Sequence, residues 1–304
     1  MQFVKDFWRC GIIADDVRHL ARAGTLDRAE VRWLPNRDPL HYYADPFGLW
    51  RDERLYLFLE SFSYRRGIGH IDVLVLDRDL AITDQRVALR EPWHLSYPFV
   101  FEADGETWLL PEAHESGALW LYRANSFPVG WERAHQIVLD HVPLDASLIR
   151  HNGKWWVFYT PADPPGARLT HLCAAWAERL DGPWQSHPAN PILVDAGGAR
   201  PGGTLFVMDG AVHLPIQRCQ GSYGSGLRLL RFDRLTPART AATIVSTLDA
   251  PSAAAPFTDG CHTFSAAGGV TLIDTKQMRF SAAALAAWPE RWLRRRRAPA
   301  DQFA

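Results

Sequence analysis

The chain has 304 residues, of which 47% are hydrophobic, so it is long enough and apolar enough to bury a full core. Its formal net charge is −1, which gives no overall field that would attract nucleic acid, and we expect no nucleic-acid partner. The sequence contains no run of about 18 apolar residues, so it predicts no transmembrane segment.

The N-terminal residues and the cysteines bear on targeting and metal binding. The first 16 residues carry Lys5, Asp6 and Arg9 and do not resemble a secretory signal, so the sequence predicts a cytoplasmic protein. The four cysteines lack Cys-x-x-Cys spacing, which argues against a zinc site or a disulfide scaffold. We therefore expect no cofactor.

The N-terminal part predicts a strand and a helix ahead of any repeat. Residues 7–14, FWRCGIIA, are typical of a strand. Residues 15–30 favour a helix that caps one end of the domain, and residues 31–35 favour a second short strand. Because closure of a β architecture removes its free sheet edges, we expect the first strand to pair with the last one, near residues 270–276.

A repeat begins near Asp45. In each of three copies a polar residue in a loop precedes a strand, a polar turn and an apolar strand that ends near a second polar residue. The interval between the two polar residues is 15 in every copy: Asp45 to Glu60, Tyr97 to Glu112, and Asp145 to Thr160. Three equal intervals indicate a structural repeat.

Two weaker copies follow, from Arg200 to Gln217 and from Cys261-His262 to Lys276. Repeats of roughly 40–50 residues with several short strands are typical of propeller blades. The predicted fold class is all-β: a five-bladed β-propeller closed by an N-terminal strand, with small helical additions at the ends. The predicted blades lie near residues 41–80, 93–135, 140–185, 187–237 and 258–280, with residues 1–280 as one domain and 281–304 as a tail that favours a short helix.

Equivalent positions of a propeller repeat converge on one axis, so the repeat predicts two polar rings. The first ring contains Asp45, Tyr97, Asp145, Arg200 and Cys261 or His262, and the second contains Glu60, Glu112, Thr160, Gln217 and Lys276. Carboxylates that crowd one axis shift each other's pKa, which can separate acid and base roles. A ligand site is the interpretation that we favour, and structural pairing of these groups is the alternative.

Several short motifs resemble known propeller families. They are Ala44-Asp45-Pro46-Phe47, Gly69-His70-Ile71, His94-Leu95-Ser96-Tyr97-Pro98, Leu110-Pro111-Glu112, Gly182-Pro183-Trp184 and Ala199-Arg200-Pro201. The first resembles five-bladed glycoside hydrolases of family 43. Residues 33–280 more closely resemble the propeller family named after the N-terminal region of plant glucosamine inositolphosphorylceramide transferase. Bacterial members of that family occur alone or beside formyltransferase-like domains, which implies a sugar-modifying partner enzyme.

The family 43 resemblance implies roles for individual residues. Asp45 matches the general base, and Asp145 matches the carboxylate that orients and tunes the acid. The general acid of that family opens the fourth blade, where this chain has Arg200, so Glu112, or second to it Glu60, would have to donate the proton. His262 matches a histidine that helps to hold a metal ion, but the sequence shows no dense ligand cluster, and we expect no metal.

The remaining ring residues predict a binding pocket for a carbohydrate or nucleotide sugar. The planar fork of Arg200 suits a carboxylate or phosphate, so an anionic ligand is one expectation. Tyr97, His94, Gln217, His262 and Lys276 complete the predicted substrate contacts. The predicted function is a carbohydrate-active, glycoside-hydrolase-like enzyme, with a non-catalytic glycan-binding module or a scaffold for a sugar-modifying partner as alternatives.

Overall fold

Five antiparallel sheets surround one axis as the blades of a β-propeller, which confirms the predicted fold class. The computed structural model describes residues 4–36 and 38–281. The short helix predicted for the C-terminal tail lies outside these residues. Within the described part of the chain, no helix is long and apolar enough to cross a membrane.

The elements follow one another in a regular order. They are β1 (Val4–Ile13), α1 (Val17–Ala23), β2 (Val31–Trp33), β3 (His41–Arg51), β4 (Arg54–Ser63), β5 (Ile68–Leu76), β6 (Ile82–Leu89), β7 (Ser96–Ala103), β8 (Glu106–Glu112), β9 (Leu119–Ser126), β10 (Gly130–Ile137), β11 (Pro143–His151), β12 (Lys154–Pro161), β13 (His171–Ala177), β14 (Gln185–Ser186), β15 (Leu193–Val194), β16 (Phe206–Met208), β17 (Ala211–Arg218), β18 (Gly226–Thr236), β19 (Arg239–Leu248), β20 (Phe264–Ala267) and β21 (Val270–Phe280). Short 3-10 helices span His114–Ser116, Pro165–Ala167 and Ser252–Ala254.

Blades one to four each take their strands consecutively from the chain, starting at β3, β7, β11 and β16. The fifth blade has the order β2-β1-β21-β20, so it combines both ends of the described chain. β1 pairs with β21 along its whole length, from Val4 opposite Phe280 to Ile13 opposite Thr271. The predicted closure by the N-terminal strand is therefore present, and the pairing runs beyond the expected residues 270–276.

The helix α1 is shorter than the predicted span of residues 15–30. It begins at the N-cap Asp16, whose side chain accepts a hydrogen bond from the Arg18 N–H, and it ends at Gly24, which has φ 65°. A glycine in the left-handed region is a common helix terminator. Val17 and Leu20 are buried against strands of the fourth and fifth blades, so the helix covers that end of the propeller.

A bulge recurs in the first strand of the first three blades. The register with the second strand shifts at Asp45 in β3, at Tyr97 in β7 and at Asp145 in β11. All three residues have positive φ, between 46° and 49°. The predicted first-ring residues thus share one backbone conformation, which explains why they lie at the same place in the repeat.

The apolar core lies between neighbouring blades. Separate clusters fill the space between blades one, two and three, between three and four, between four and five, and between five and one. Sheets that pack face to face bury one side chain in two along each strand. Tyr97 adds a polar link across the axis, because its hydroxyl contacts Ser147 Oγ at 2.8 Å and accepts the Gly203 N–H at 2.6 Å.

Gly203 offers a test of this packing. It has φ 145°, and a Cβ there would overlap the backbone carbonyl of Phe264 in the next blade. Gly210 is a matched control, because it has φ 77° and no heavy atom within 4 Å of a Cβ. We predict that Gly203→Ala lowers the unfolding free energy by about 3 kcal/mol or more, and Gly210→Ala by about 1 kcal/mol. Urea unfolding measures both, and equal losses would contradict the tight contact between these blades.

Candidate functional site

A cavity of about 250 Å³ opens on the propeller axis. Larger clefts of 710 and 500 Å³ lie on the outer surface, next to α1 and between the second and third blades. The axial cavity is the one that concerns function, because three acids, three histidines and two arginines line it together. Six of these eight residues, Asp45, Glu60, Glu112, His94, Arg200 and His262, are predicted site residues.

Glu60 lies near the end of β4 with its side chain buried at the cavity. Burial, followed by repulsion from Asp45 and Glu112, raises the pKa of Glu60 well above its ordinary value. A carboxyl group in such surroundings keeps its proton at higher pH than an exposed one. Glu60 is therefore suited to donate a proton.

His94 and Gly69 fix the position of Glu60. His94 Nδ1 accepts the Gly69 N–H at 2.9 Å, so the neutral ring carries its proton on Nε2, which lies 3.5 Å from Glu60 Oε1. Burial lowers the pKa of His94, which favours that neutral ring. A Cβ at Gly69 would lie 2.8 Å from His94 Cε1 and 2.9 Å from Glu60 Oε1, so the close approach requires glycine.

Glu112 has the opposite electrostatic environment. Its Oε1 accepts the His114 N–H at 2.9 Å and contacts His114 Nδ1 at 2.6 Å, and its Oε2 accepts the Ser96 hydroxyl at 3.1 Å. Burial opposes ionisation, but these bonds and the charges of nearby histidines lower the pKa of Glu112 to about 2. Glu112 is therefore an ionised hydrogen-bond acceptor at neutral pH.

Asp45 lies between the other acids and the fifth blade. Its carboxylate accepts the Tyr97 N–H at 3.0 Å and the Thr263 hydroxyl at 3.1 Å. Burial raises the pKa of Asp45 to about 6, although the charge of His262 opposes the shift. Asp45 can thus exchange a proton near neutral pH.

Asp274 in β21 supports this acid, and the sequence analysis missed it. Asp274 accepts the Asp45 N–H at 3.1 Å and contacts His262 Nδ1 at 2.7 Å, while His262 Nε2 lies 3.5 Å from Asp45 Oδ1. The repeat offset pointed to Lys276, two residues later. An acid directly after the mostly apolar segment from Val270 to Ile273 was the signal that could have identified it.

One group of side chains has the spacing of a metal site. Its potential ligand atoms, from Asp45, His262 and Asp274, all lie within 4.8 Å of one another. The Asp274 oxygens already accept four hydrogen bonds, from His262 Nδ1 and from the backbone of Asp45, His262 and Thr263. Burial lowers the pKa of His262, but Asp274 and Asp45 outweigh it and raise the pKa, which favours a protonated ring. A metal ion would have to displace this proton and break hydrogen bonds to Asp274, so the contacts that the structure shows favour an ion pair over a metal site.

Arg200 forms the opposite wall with Asp145 behind it. Its Nε and Nη2 both donate to the Asp145 carboxylate, the second at 2.8 Å, and Gln217 Nε2 donates to the same carboxylate at 2.9 Å. Arg200 lines the cavity, whereas Asp145 and Gln217 do not. Asp145 thus orients the arginine.

Two further predicted substrate contacts lie elsewhere. Tyr97 is fully buried in the axial core, below the cavity. Lys276 is also fully buried, and its ammonium group donates to the Ser222 hydroxyl and to the Tyr223 carbonyl. Lys276 therefore holds the loop that carries Tyr223, and its ammonium group also lies 5.5 Å from the centroid of the Trp8 ring, so it supports two cavity residues without lining the cavity itself.

The structure adds an aromatic wall that the repeat did not predict. It consists of Trp8, Tyr42, Phe62 and Tyr223. The Trp8 ring stacks on His262 with centroids 3.8 Å apart, and Tyr223 meets His262 edge-on at 5.4 Å. Trp8 comes from the closing strand β1, so its place at the site depends on the pairing of the two chain ends.

Comparison with known proteins identifies the family. Residues 35–253 match the family described as glucosamine inositolphosphorylceramide transferase 1, N-terminal. The chain belongs to this family. The resemblance inferred from the motifs is thereby confirmed.

Glucosamine inositolphosphorylceramide transferase 1 of Oryza sativa subsp. japonica is 35% identical over 202 residues, which cover 65% of this chain and 27% of the relative. The protein of that name from Arabidopsis thaliana is 33% identical over 202 residues, which cover 65% of this chain and 26% of the relative.

This member of the family spans about a quarter of the length of those curated relatives. Among solved structures, a family 117 glycoside hydrolase of the marine bacterium Zobellia galactanivorans matches with a TM-score of 0.55 and 15% identity, covering 79% of this chain and 85% of that one. An exo-β-1,3-galactanase of Clostridium thermocellum matches with a TM-score of 0.54 and 13% identity, covering 70% and 52%. Because the sequence identities are only 15% and 13%, these two structures support the fold alone.

The raised pKa of Glu60 predicts a pH-dependent stability. Because the folded state holds this proton more tightly than the unfolded chain, the stabilising contribution is complete below the ordinary pKa near 4.3 and is lost as the pH rises through the raised value. We predict that Glu60→Gln matches the wild type near pH 4 and becomes progressively more stable than it towards pH 8. Urea unfolding across this range measures the difference, with Glu106→Gln at the exposed start of β8 as control. Parallel curves for Glu60→Gln and the wild type would contradict the assignment.

Proposed function

We propose that the axial cavity binds a sugar and that the protein acts on a glycosidic bond or an activated sugar. The observation that carries the proposal is the contrast between two buried glutamates in one cavity: Glu112 accepts three hydrogen bonds and its pKa is lowered, whereas burial and the neighbouring carboxylates raise the pKa of Glu60. Acids with such divergent pKa values at one site are typical of acid–base catalysis. The glycoside hydrolases among the fold neighbours make carbohydrate chemistry a natural use of this scaffold.

In the proposed reaction Glu60 is the general acid and Asp45 the general base. Glu60 transfers its proton to the leaving glycosidic oxygen as the bond to the anomeric carbon breaks. Asp45 takes a proton from a water molecule or an acceptor hydroxyl, whose oxygen forms the new bond. The low pKa of Glu112 makes it a poor proton donor, so we assign it to hold sugar hydroxyls, whereas the sequence had favoured it as the acid.

The other lining residues fit a bound sugar. The aromatic wall offers ring surface to a sugar through its half-buried members Phe62 and Tyr223, while Trp8 is buried and packs against His262. The volume of 250 Å³ equals about eight water molecules of liquid, which suits one sugar ring. His262 and Asp274 position Asp45.

A non-catalytic glycan-binding module is the second candidate. The observation that favours it is Arg200, which stands where the family 43 resemblance places the general acid and is held there by Asp145. A scaffold for a sugar-modifying partner is the third candidate. The relatives that this chain matches are named as transferases, and the chain spans about a quarter of their length. We propose that a sugar-modifying enzyme, in the same chain or another, is the partner of this propeller.

Substitution of the two proposed catalytic acids tests the enzyme function. Wild type, Asp45→Asn and Glu60→Gln are assayed against a panel of 4-nitrophenyl glycosides and nucleotide sugars, and sugar binding is measured by calorimetry. We predict that each variant lowers kcat about 100-fold or more while the Kd for a bound sugar changes less than about fivefold. Glu91→Gln is the control, since Glu91 accepts a hydrogen bond from Tyr122 on the outer part of the second blade.

The alternatives give different results in the same assay. A binding module shows no turnover by the wild type and a changed affinity in Asp45→Asn. Turnover that survives in Glu60→Gln would reject Glu60 as the proton donor.

A further inference from the structure

The axial cavity has an uneven distribution of charge. The acids that line it come from the first two blades: Asp45 and Glu60 from blade one and Glu112 from blade two. The guanidinium groups come from the opposite side, with Arg168 after β12 and Arg200 ahead of β16. A ligand in this cavity therefore meets acids on one side and cations on the other.

The Arg200 side chain is held in place and still has free donors. A guanidinium has five N–H donors, and Asp145 takes those of Nε and one of Nη2. Nη1 donates to none of the residues that the structure describes. The side chain is 15% exposed and lies over the Tyr223 ring, 5.7 Å from its centroid. Such a rigid fork loses little entropy when it binds a second acceptor.

Arg168 provides the second cation at the mouth of the cavity. Its Nε donates to the Ala162 carbonyl at 2.6 Å, and its Nη2 lies 3.8 Å from Asp163, so the base of the side chain is fixed while 43% of it remains exposed. Glu112, one of the acids on the opposite wall, is already paired with His114. Repulsion of an incoming anion by that carboxylate is thereby reduced.

We propose that the ligand is an anionic sugar whose carboxylate or phosphate binds to Arg200 and Arg168 while its ring lies against the aromatic wall. The inference rests on the proposed function, because it assumes that a sugar occupies the cavity. The shared chemistry is an oxyanion attached to a sugar. A uronic acid provides it as a carboxylate, and a sugar phosphate or nucleotide sugar provides it as a phosphate. In either case charge-assisted hydrogen bonds to the arginine fork give the selectivity.

Calorimetry with matched sugars tests the proposal. The probes are D-glucuronate and D-galacturonate, each against its neutral hexose, and glucose 6-phosphate, glucose 1-phosphate and uridine-diphosphate glucose against glucose. We expect at least one anionic probe to bind about tenfold or more tightly than its neutral counterpart, with a preference that falls as salt is raised. Preference for uronates identifies a carboxylate ligand, and preference for the phosphorylated probes identifies a phosphate.

Two variants and one control test whether the arginines cause this preference. Arg200→Gln alone leaves Asp145 buried without its cation, so the double variant Arg200→Gln/Asp145→Asn, which keeps the pair neutral, is the decisive one. It should abolish the anionic preference and leave binding of the neutral sugar within about threefold, and Arg168→Gln should reduce the preference in part. Arg228→Gln is the matched control, since Arg228 is a similarly buried arginine paired with Asp195 at 2.8 Å outside the cavity.

The outcomes separate this inference from the proposed function. Equal binding of the anionic and neutral sugars, or a preference that survives in the double variant, overturns the anionic ligand and leaves sugar binding in place. Failure of the wild type to bind any probe overturns both the anionic ligand and the sugar site.

Discussion

The carboxylate of Asp274 holds the ring of blades closed at the point where the site is built. Its two oxygens accept backbone N–H groups from the His262-Thr263 turn of blade five and from Asp45 of blade one, together with the ring proton of His262. A buried carboxylate with this many donors is stabilised in its charged form, and the pKa of Asp274 is lowered although burial opposes the shift. The placement of Asp45 therefore depends on this side chain, which also links the first blade to the fifth.

The bulge in the first strand of each of the first three blades is the second constraint. A left-handed backbone conformation costs about 1 kcal/mol or more for a residue other than glycine, so the surrounding contacts must hold it. Asp45, Tyr97 and Asp145 share this conformation but not a role. Asp45 reaches the cavity, Tyr97 links blades across the axis, and Asp145 orients Arg200. The repeat places these three residues at equivalent positions, and each side chain has a different role.

The electrostatics of the cavity follow from hydrogen bonding rather than from residue type. Glu60 and Glu112 are both buried glutamates near the ends of second strands. Glu112 receives three hydrogen bonds and loses its proton readily, whereas the nearest donor to Glu60 is His94 Nε2 at 3.5 Å. Two residues that the repeat makes equivalent thus acquire opposite proton affinities, which is the basis of the proposed catalysis.

The sequence by itself determined the five blades, the closing strand and most of the cavity acids, because a regular interval between polar residues reflects the geometry of each blade. It could not separate Glu60 from Glu112, since their difference comes from His114 and Ser96 beside one of them. It also could not exclude Tyr97 and Lys276 from the cavity, place Trp8 at it or place Asp274 behind Asp45. Those positions depend on side-chain direction within a bulge and on the pairing of β1 with β21, which joins residues 258 to 276 positions apart. The sequence predicted that pairing but not the direction of each side chain in it, so only the tertiary structure decided which residues reach the cavity.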